Sequence, residues 1–196
     1  MTLIQTVMKK VLCFLYDTYV DFEITLACYY INEEEKFQLT YISYEKTPVL
    51  SRAGMKVHPD MTVKEAIKID NIEGLIIPGG HERPFKPELK QLIIKLNNEN
   101  KLLAAICAGP EFFAKSGILG SKKYTTTKSP EEYKEKREID PFPRNNYIEK
   151  RMVKDHNIIT AKGSAFIDFA LEIFEWFQMY EDDTEREDCK LMWTPE

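Results

Sequence analysis

The sequence predicts an α/β fold with a mostly parallel central sheet. Short apolar runs alternate along the chain with amphipathic stretches, the pattern of parallel strands joined by crossover helices. Two of the runs end in turn-forming strings, Pro78-Gly79-Gly80 and Cys107-Ala108-Gly109-Pro110, where an open sheet hands over to a loop or helix. The length, 196 residues, suffices for one ordinary core without disulfides or a structural metal, and a composition of 43% hydrophobic and 30% charged residues is that of a globular chain.

Taken in order, residues 11–16 are apolar throughout and read as a buried strand, after which residues 21–32 shift to helical spacing with Phe22, Leu26, Tyr29 and Tyr30. Residues 37–44 alternate at period two, as a half-buried strand does. Residues 49–59 hold two short extended pieces around Gly54, and residues 62–68 make a short helix. Residues 74–77 form the next central strand, followed by a helix over 87–100, a buried strand over 101–106 and a resumed helix over 111–115. The segment 129–146 is polar, charged and carries three prolines, so it reads as a short helix plus an exposed loop. Residues 147–154 and 157–161 flank Asp155-His156 as a hairpin. A long helix over 163–178 buries Phe166, Phe169, Ala170, Ile173, Phe174 and Phe177. The domain spans 9–178, and 179–196 is an acidic tail that either packs as a terminal helix or stays mobile.

Composition excludes several functions. A formal charge of −5 gives no broad positive field for phosphate backbones, and no local basic patch replaces it, so no nucleic-acid role is expected. No run approaches the roughly 18 to 20 apolar residues of a membrane span. Cysteines at 13, 28, 107 and 189 show neither CxxC spacing nor disulfide-scaffold density, which points to a reducing compartment. Residues 1–10 place their lysines after a short apolar stretch and lack a signal peptide's apolar core, so the expected address is cytoplasmic. No HExxH, GxGxxG, Walker loop or His/Cys cluster calls for a metal or cofactor.

The chemistry concentrates at Cys107. A thiol immediately after a buried strand and immediately before a helix sits on a sharp turn, the geometry of a nucleophile elbow. Ala105, Ala108 and Gly109 leave the turn unobstructed, and Pro110 suits the first helical position. The helix N-terminus predicts an acidic thiol. The N–H of Ala108, with one from Gly79-Gly80, would hold an oxyanion formed at a carbonyl that the thiolate attacks. Glu23, opening the helix after the first strand, is the nearest carboxyl for moving a proton, although the helix dipole alone also favours an acid there. Cys13, Cys28 and Cys189 have no activating context, and Asp17 and Asp21 read as turn or helix caps. His81 is the histidine best placed to approach Cys107, yet it reads first as an exposed loop residue.

The string Ala104-Ala105-Ile106-Cys107-Ala108-Gly109-Pro110, with Pro78-Gly79-Gly80 and Asp21-Phe22-Glu23 before it, resembles the ThiJ/PfpI superfamily. Val57-His58-Pro59-Asp60-Met61-Thr62-Val63 and Asp168-Phe169-Ala170-Leu171 extend the likeness over roughly residues 9–178. The resemblance implies a flavodoxin-like three-layer sandwich, commonly a homodimer with His58 near the contact. It implies Cys107 as the elbow nucleophile, Glu23 as its carboxyl partner, and Gly80 and Ala108 as oxyanion donors. Gly79, His81 and Thr127 are site neighbours. Superfamily members include glyoxalases and deglycases, peptidases, amidotransferase-like proteins, chaperones and oxidative-stress sensors, so the fold does not select the reaction.

Departures narrow the choice. Peptidase-like and amidotransferase-like relatives place a histidine after the cysteine or on a later strand, whereas Ala108 and Thr127 stand here, so both activities are discounted. What remains is a cysteine-centred enzyme acting on a small electrophile, a hydrolase or a glyoxalase- or deglycase-like enzyme. The alternative is a sensor or chaperone whose Cys107 is reversibly oxidised by a small oxidant.

Overall fold

The apolar run that opens the sequence becomes β1 (Lys9–Phe14), and because residues 11–14 are wholly buried it lies inside the sheet with a parallel neighbour on each side. This placement comes from a computed structural model that describes residues 8–193; residues 1–7, on which most of the signal-peptide reading falls, and 194–196, the end of the acidic tail, lie outside the described residues. After β1 the chain runs through α1 (Phe22–Glu33), β2 (Phe37–Ser43), the antiparallel pair β3 (Val49–Leu50) and β4 (Lys56–Val57), β5 (Met61–Thr62) and α2 (Val63–Ala66). Then come β6 (Ile72–Ile77), α3 (Pro87–Asn98), β7 (Leu102–Ile106), α4 (Pro110–Ser116) and α5 (Pro130–Lys136). The chain closes with the hairpin β8 (Met152–Asp155) and β9 (Ile158–Ala161), then α6 (Phe166–Phe177) and α7 (Asp183–Trp193).

The main sheet has the order β5-β2-β1-β6-β7-β9-β8, parallel throughout except for the β8–β9 hairpin. Val11 pairs with Leu39 on one side of β1 and with Gly74 on the other. From β1 the chain steps one way to β2, and from β6 it steps the other way to β7. Right-handed crossovers therefore put α1 and α3 on opposite faces of the sheet. The reversal falls between β1 and β6, where ligands of open α/β sheets bind. α6 packs against α1 on one face through buried Phe169, Ala170, Ile173 and Phe174, each large side chain contributing about 1.5 to 3 kcal/mol of burial.

The structure differs from the sequence reading in four places. Met61–Thr62 pairs with β2 as an edge strand before the short helix begins, so the helix is only Val63–Ala66. The segment 129–146 is not simply exposed: Tyr133 and Phe142 are buried, with Phe142 stacked on Tyr124 at 5.4 Å between centroids. Before β8, residues 147–151 are not strand, and Tyr147 makes only an isolated bridge to Tyr124. The last long helix opens with a single 3₁₀ turn over Gly163–Ala165. Within the acidic tail α7 is helical, and Trp193 Nε1 donates to the Tyr30 hydroxyl of α1 at 3.1 Å. Among the described residues no helix is long and apolar enough to cross a membrane.

Candidate active site

Four strand ends converge on Cys107. β7 delivers it directly, β1 leads to Glu23 in the first turn of α1, β6 ends in Gly79-Gly80, and β9 leads to Gly163. Cys107 has φ +62°, a conformation a non-glycine residue keeps only where its surroundings hold it. Its N–H donates to Ala161 O at 2.8 Å, and its carbonyl accepts the Thr126 hydroxyl at 2.8 Å and the Thr127 N–H at 3.0 Å. The sharp turn between β7 and α4 is thus fixed from both sides.

The thiol meets the carboxyl of Glu23, which is 3% exposed and hydrogen-bonded to it. Two glycines leave room for this contact. A Cβ on Gly79 would stand 2.7 Å from Cys107 Cβ and 2.8 Å from Glu23 Oε2. One on Gly163 would stand 3.0 Å from Glu23 Oε1 and 3.1 Å from Cys107 Sγ. The Gly79 N–H donates to Glu23 Oε2 at 2.7 Å, so that amide is committed to the carboxyl and not to an oxyanion. The Thr127 hydroxyl donates to Cys107 Sγ at 3.4 Å, and the Ala108 N–H also faces the sulfur.

Burial pushes the Glu23 carboxyl up to about 7, outweighing the hydrogen bonds from Cys107 and Gly79 that pull it down. Burial, and then the Glu23 carboxylate, push the Cys107 thiol up to about 11 against the opposing Thr127 hydroxyl and Ala108 amide. The acidic thiol predicted from the helix N-terminus is therefore reversed while Glu23 is ionised. Between those two values the pair holds one proton, carried by oxygen or by sulfur.

The Pro78-Gly79-Gly80 turn is braced from outside. The Tyr16 hydroxyl donates to Pro78 O at 3.0 Å, and the Val20 N–H donates to Gly79 O at 3.0 Å. Arg83 donates through Nη1 to Gly80 O at 2.6 Å and through Nε to Glu111 Oε2 at 2.8 Å. Glu111, nearly buried in the first turn of α4, also pairs with Lys115. Asp21 caps α1 through Phe22 N–H and holds the Ala53 N–H at 2.9 Å, while Asp17 accepts from Leu50 N–H at 2.9 Å.

Of the residues singled out in the sequence, Glu23, Gly79, Cys107, Ala108 and Thr127 come together. His81 does not: it is exposed, and its backbone carbonyl accepts from Arg83. Gly163, Tyr16, Arg83 and Glu111 escaped sequence reasoning. Their roles depend on which strands and turns become neighbours, and no motif announces that.

The model of the DJ-1/PfpI family matches residues 9–176. A Bacillus subtilis protein named as an uncharacterized protease, YdeA, is 28% identical over 193 residues, covering 95% of this chain and 90% of that one. Deglycase PfpI of Pyrococcus furiosus is 29% identical over 102 residues, covering 50% of this chain and 60% of that one. In fold the chain is similar to a DJ-1 superfamily protein from Agrobacterium tumefaciens, with a TM-score of 0.79, 23% identity and coverage of 94% and 97%.

Proposed function

This chain belongs to the DJ-1/PfpI family, and from that premise we propose that it is a cysteine-dependent enzyme acting on a small reactive carbonyl, of the glyoxalase or deglycase kind. The observation that carries the proposal is the Cys107–Glu23 contact, buried between Gly79 and Gly163, with burial raising the carboxyl to about 7. Relatives named as deglycases support the same direction. The protease name of another relative is not carried over, because Ala108 and Thr127 stand where a histidine base would be required.

With an α-oxo aldehyde, the Cys107 sulfur bonds to the aldehyde carbon and the carbonyl oxygen takes up a proton, giving a hemithioacetal. The amides of Ala108 and Gly80 stabilise the negative oxygen on the way. The Glu23 carboxylate carries the proton on that carbon to the neighbouring carbon while the hydroxyl proton passes to the neighbouring oxygen, through an enediol, leaving a thioester. Water cleaves the thioester to an α-hydroxy acid and frees the thiol. Methylglyoxal plus water thus yields lactate with no external oxidant.

The test is lactate release from methylglyoxal. Cys107→Ser abolishes it, and Glu23→Gln lowers it by about 10²- to 10⁴-fold. No turnover in the parent chain, or turnover unchanged by Cys107→Ser, overturns the proposal. The second reading, an oxidation sensor, is favoured by the Thr127 hydroxyl and Ala108 amide that face the sulfur and would hold its oxidised oxygens. It requires Cys107 to oxidise ahead of Cys13, Cys28 and Cys189 under mild peroxide, read by mass spectrometry. We further propose a cytoplasmic homodimer. Exposed Phe22, Leu50 and Met55 supply an apolar surface on segments tied together by the Thr18 N–H to Leu50 O and Ala53 N–H to Asp21 hydrogen bonds.

A further inference from the structure

Beside Cys107 lies a cavity of about 580 Å³, within the size range of small-ligand sites. One of its wall segments touches the cysteine and another adjoins a residue that flanks it. Thr127 donates to Cys107 Sγ and Thr126 to the Cys107 carbonyl, while Lys162 precedes the Gly163 that flanks the sulfur. The wall carries three cations, Lys128, Arg144 and Lys162, against one acid, Glu149. Hydroxyls of Thr126, Thr127, Ser129 and Tyr147 complete the polar lining.

Each cation has a partner, and the placement of those partners matters. Glu132 pairs with Lys128 and Asp140 with Arg144, yet neither acid lines the cavity. Only Lys162 meets its partner, Glu149, on the wall itself. Arg144 gives Nε and Nη2 to Asp140 at 2.7 and 3.2 Å and Nη1 to Lys128 O at 2.9 Å, which uses three of its five N–H donors. Its guanidinium also lies 4.6 Å over the Phe142 ring. An arginine held this way is already oriented, so an incoming anion orders little more on binding.

We propose that this cavity is the subsite for an anionic group on the substrate, so that the electrophile this chain prefers carries a carboxylate or phosphate beside its reactive carbonyl. The inference rests on Cys107 being the nucleophile and adds what the substrate must carry. Arg144 and Lys162 supply the donors, and the Thr127 hydroxyl joins the cavity wall to the sulfur.

Alkylation of Cys107 tests it without any assay of turnover. Iodoacetate and iodoacetamide react in the same way, the sulfur bonding to the methylene carbon as iodide leaves and the thiol proton passing to Glu23 or buffer. They differ in carrying a carboxylate or a neutral amide. Rates at Cys107 are followed by peptide mass spectrometry, with glutathione as the free-thiol reference. The iodoacetate-to-iodoacetamide ratio at Cys107 should exceed that of glutathione by roughly fivefold, the size expected of partly solvated charge contacts. Lys162→Gln and, independently, Arg144→Gln should bring the ratio toward the glutathione value, and inorganic phosphate should slow iodoacetate more than iodoacetamide. A Cys107 that reacts with both reagents at the glutathione ratio, or a raised ratio that survives both substitutions, overturns the subsite alone. A Cys107 inert to both overturns the nucleophile and the subsite together.

Discussion

Glu23 stores a measurable signature of the site. Its carboxyl sits near 7 in the folded chain against an ordinary 4.5, so folding binds its proton more tightly than the unfolded chain does. The stability this group contributes is complete below about pH 4.5 and is lost as pH rises through 7, a change on the order of 3 kcal/mol. Glu23→Gln keeps the shape and an oxygen for the Gly79 N–H but removes the ionisation. The variant should gain on the parent chain between pH 4.5 and 8, with a relative rise in Tm of about 6 to 12 °C at the upper end. A Tm difference that is the same at both pH values excludes the raised carboxyl. At Gly79, an alanine methyl would collide with Cys107 Cβ and Glu23 Oε2, so Gly79→Ala should displace the pair and cut Cys107-dependent turnover at least tenfold. Unchanged turnover in a folded Gly79→Ala variant would remove the tight packing as a requirement. Cys107 was legible because an apolar strand that passes at once into Ala-Gly-Pro leaves the intervening thiol on the turn itself. Gly163 was not, because its closeness to the sulfur arises only after β9 pairs beside β7.

Among the elements, the ion pair between the loop after β6 and the first turn of α4 couples two parts of the site. Arg83, at φ +37°, and Glu111 are 13% and 4% exposed at their side chains, so removing one partner leaves a charge with little water. Glu111→Gln should destabilise the fold by about 3 to 5 kcal/mol, whereas Arg83→Met combined with Glu111→Leu should cost less than the single change. Denaturant unfolding of the single and double variants checks this, and additive losses would show the two side chains act independently. The principal strands and helices were legible from period and turn chemistry, since runs such as Leu102–Ile106 are apolar on both faces. β5 was not, because two residues at a helix start carry no period. The 129–146 segment misled by composition: its charged residues surround Tyr133 and Phe142 instead of excluding them from the core, with Arg144 over both rings.

At the scale of the whole molecule, the alternating pattern made the parallel sheet legible, while the order of its strands and the placement of α7 came only from the assembled chain. The proposed homodimer predicts a particle of twice the 22.9 kDa chain mass by light scattering at micromolar concentration. Phe22→Glu should shift it to the single-chain mass, and a parent chain already at that mass excludes the dimer. The site draws on positions 23, 79, 107 and 163, one from behind each of four neighbouring strands. A nascent chain from which β9 has not yet emerged lacks the Ala161 carbonyl that accepts the Cys107 N–H in its left-handed turn. During synthesis the turn that carries the thiol is therefore completed only when the last parallel strand docks.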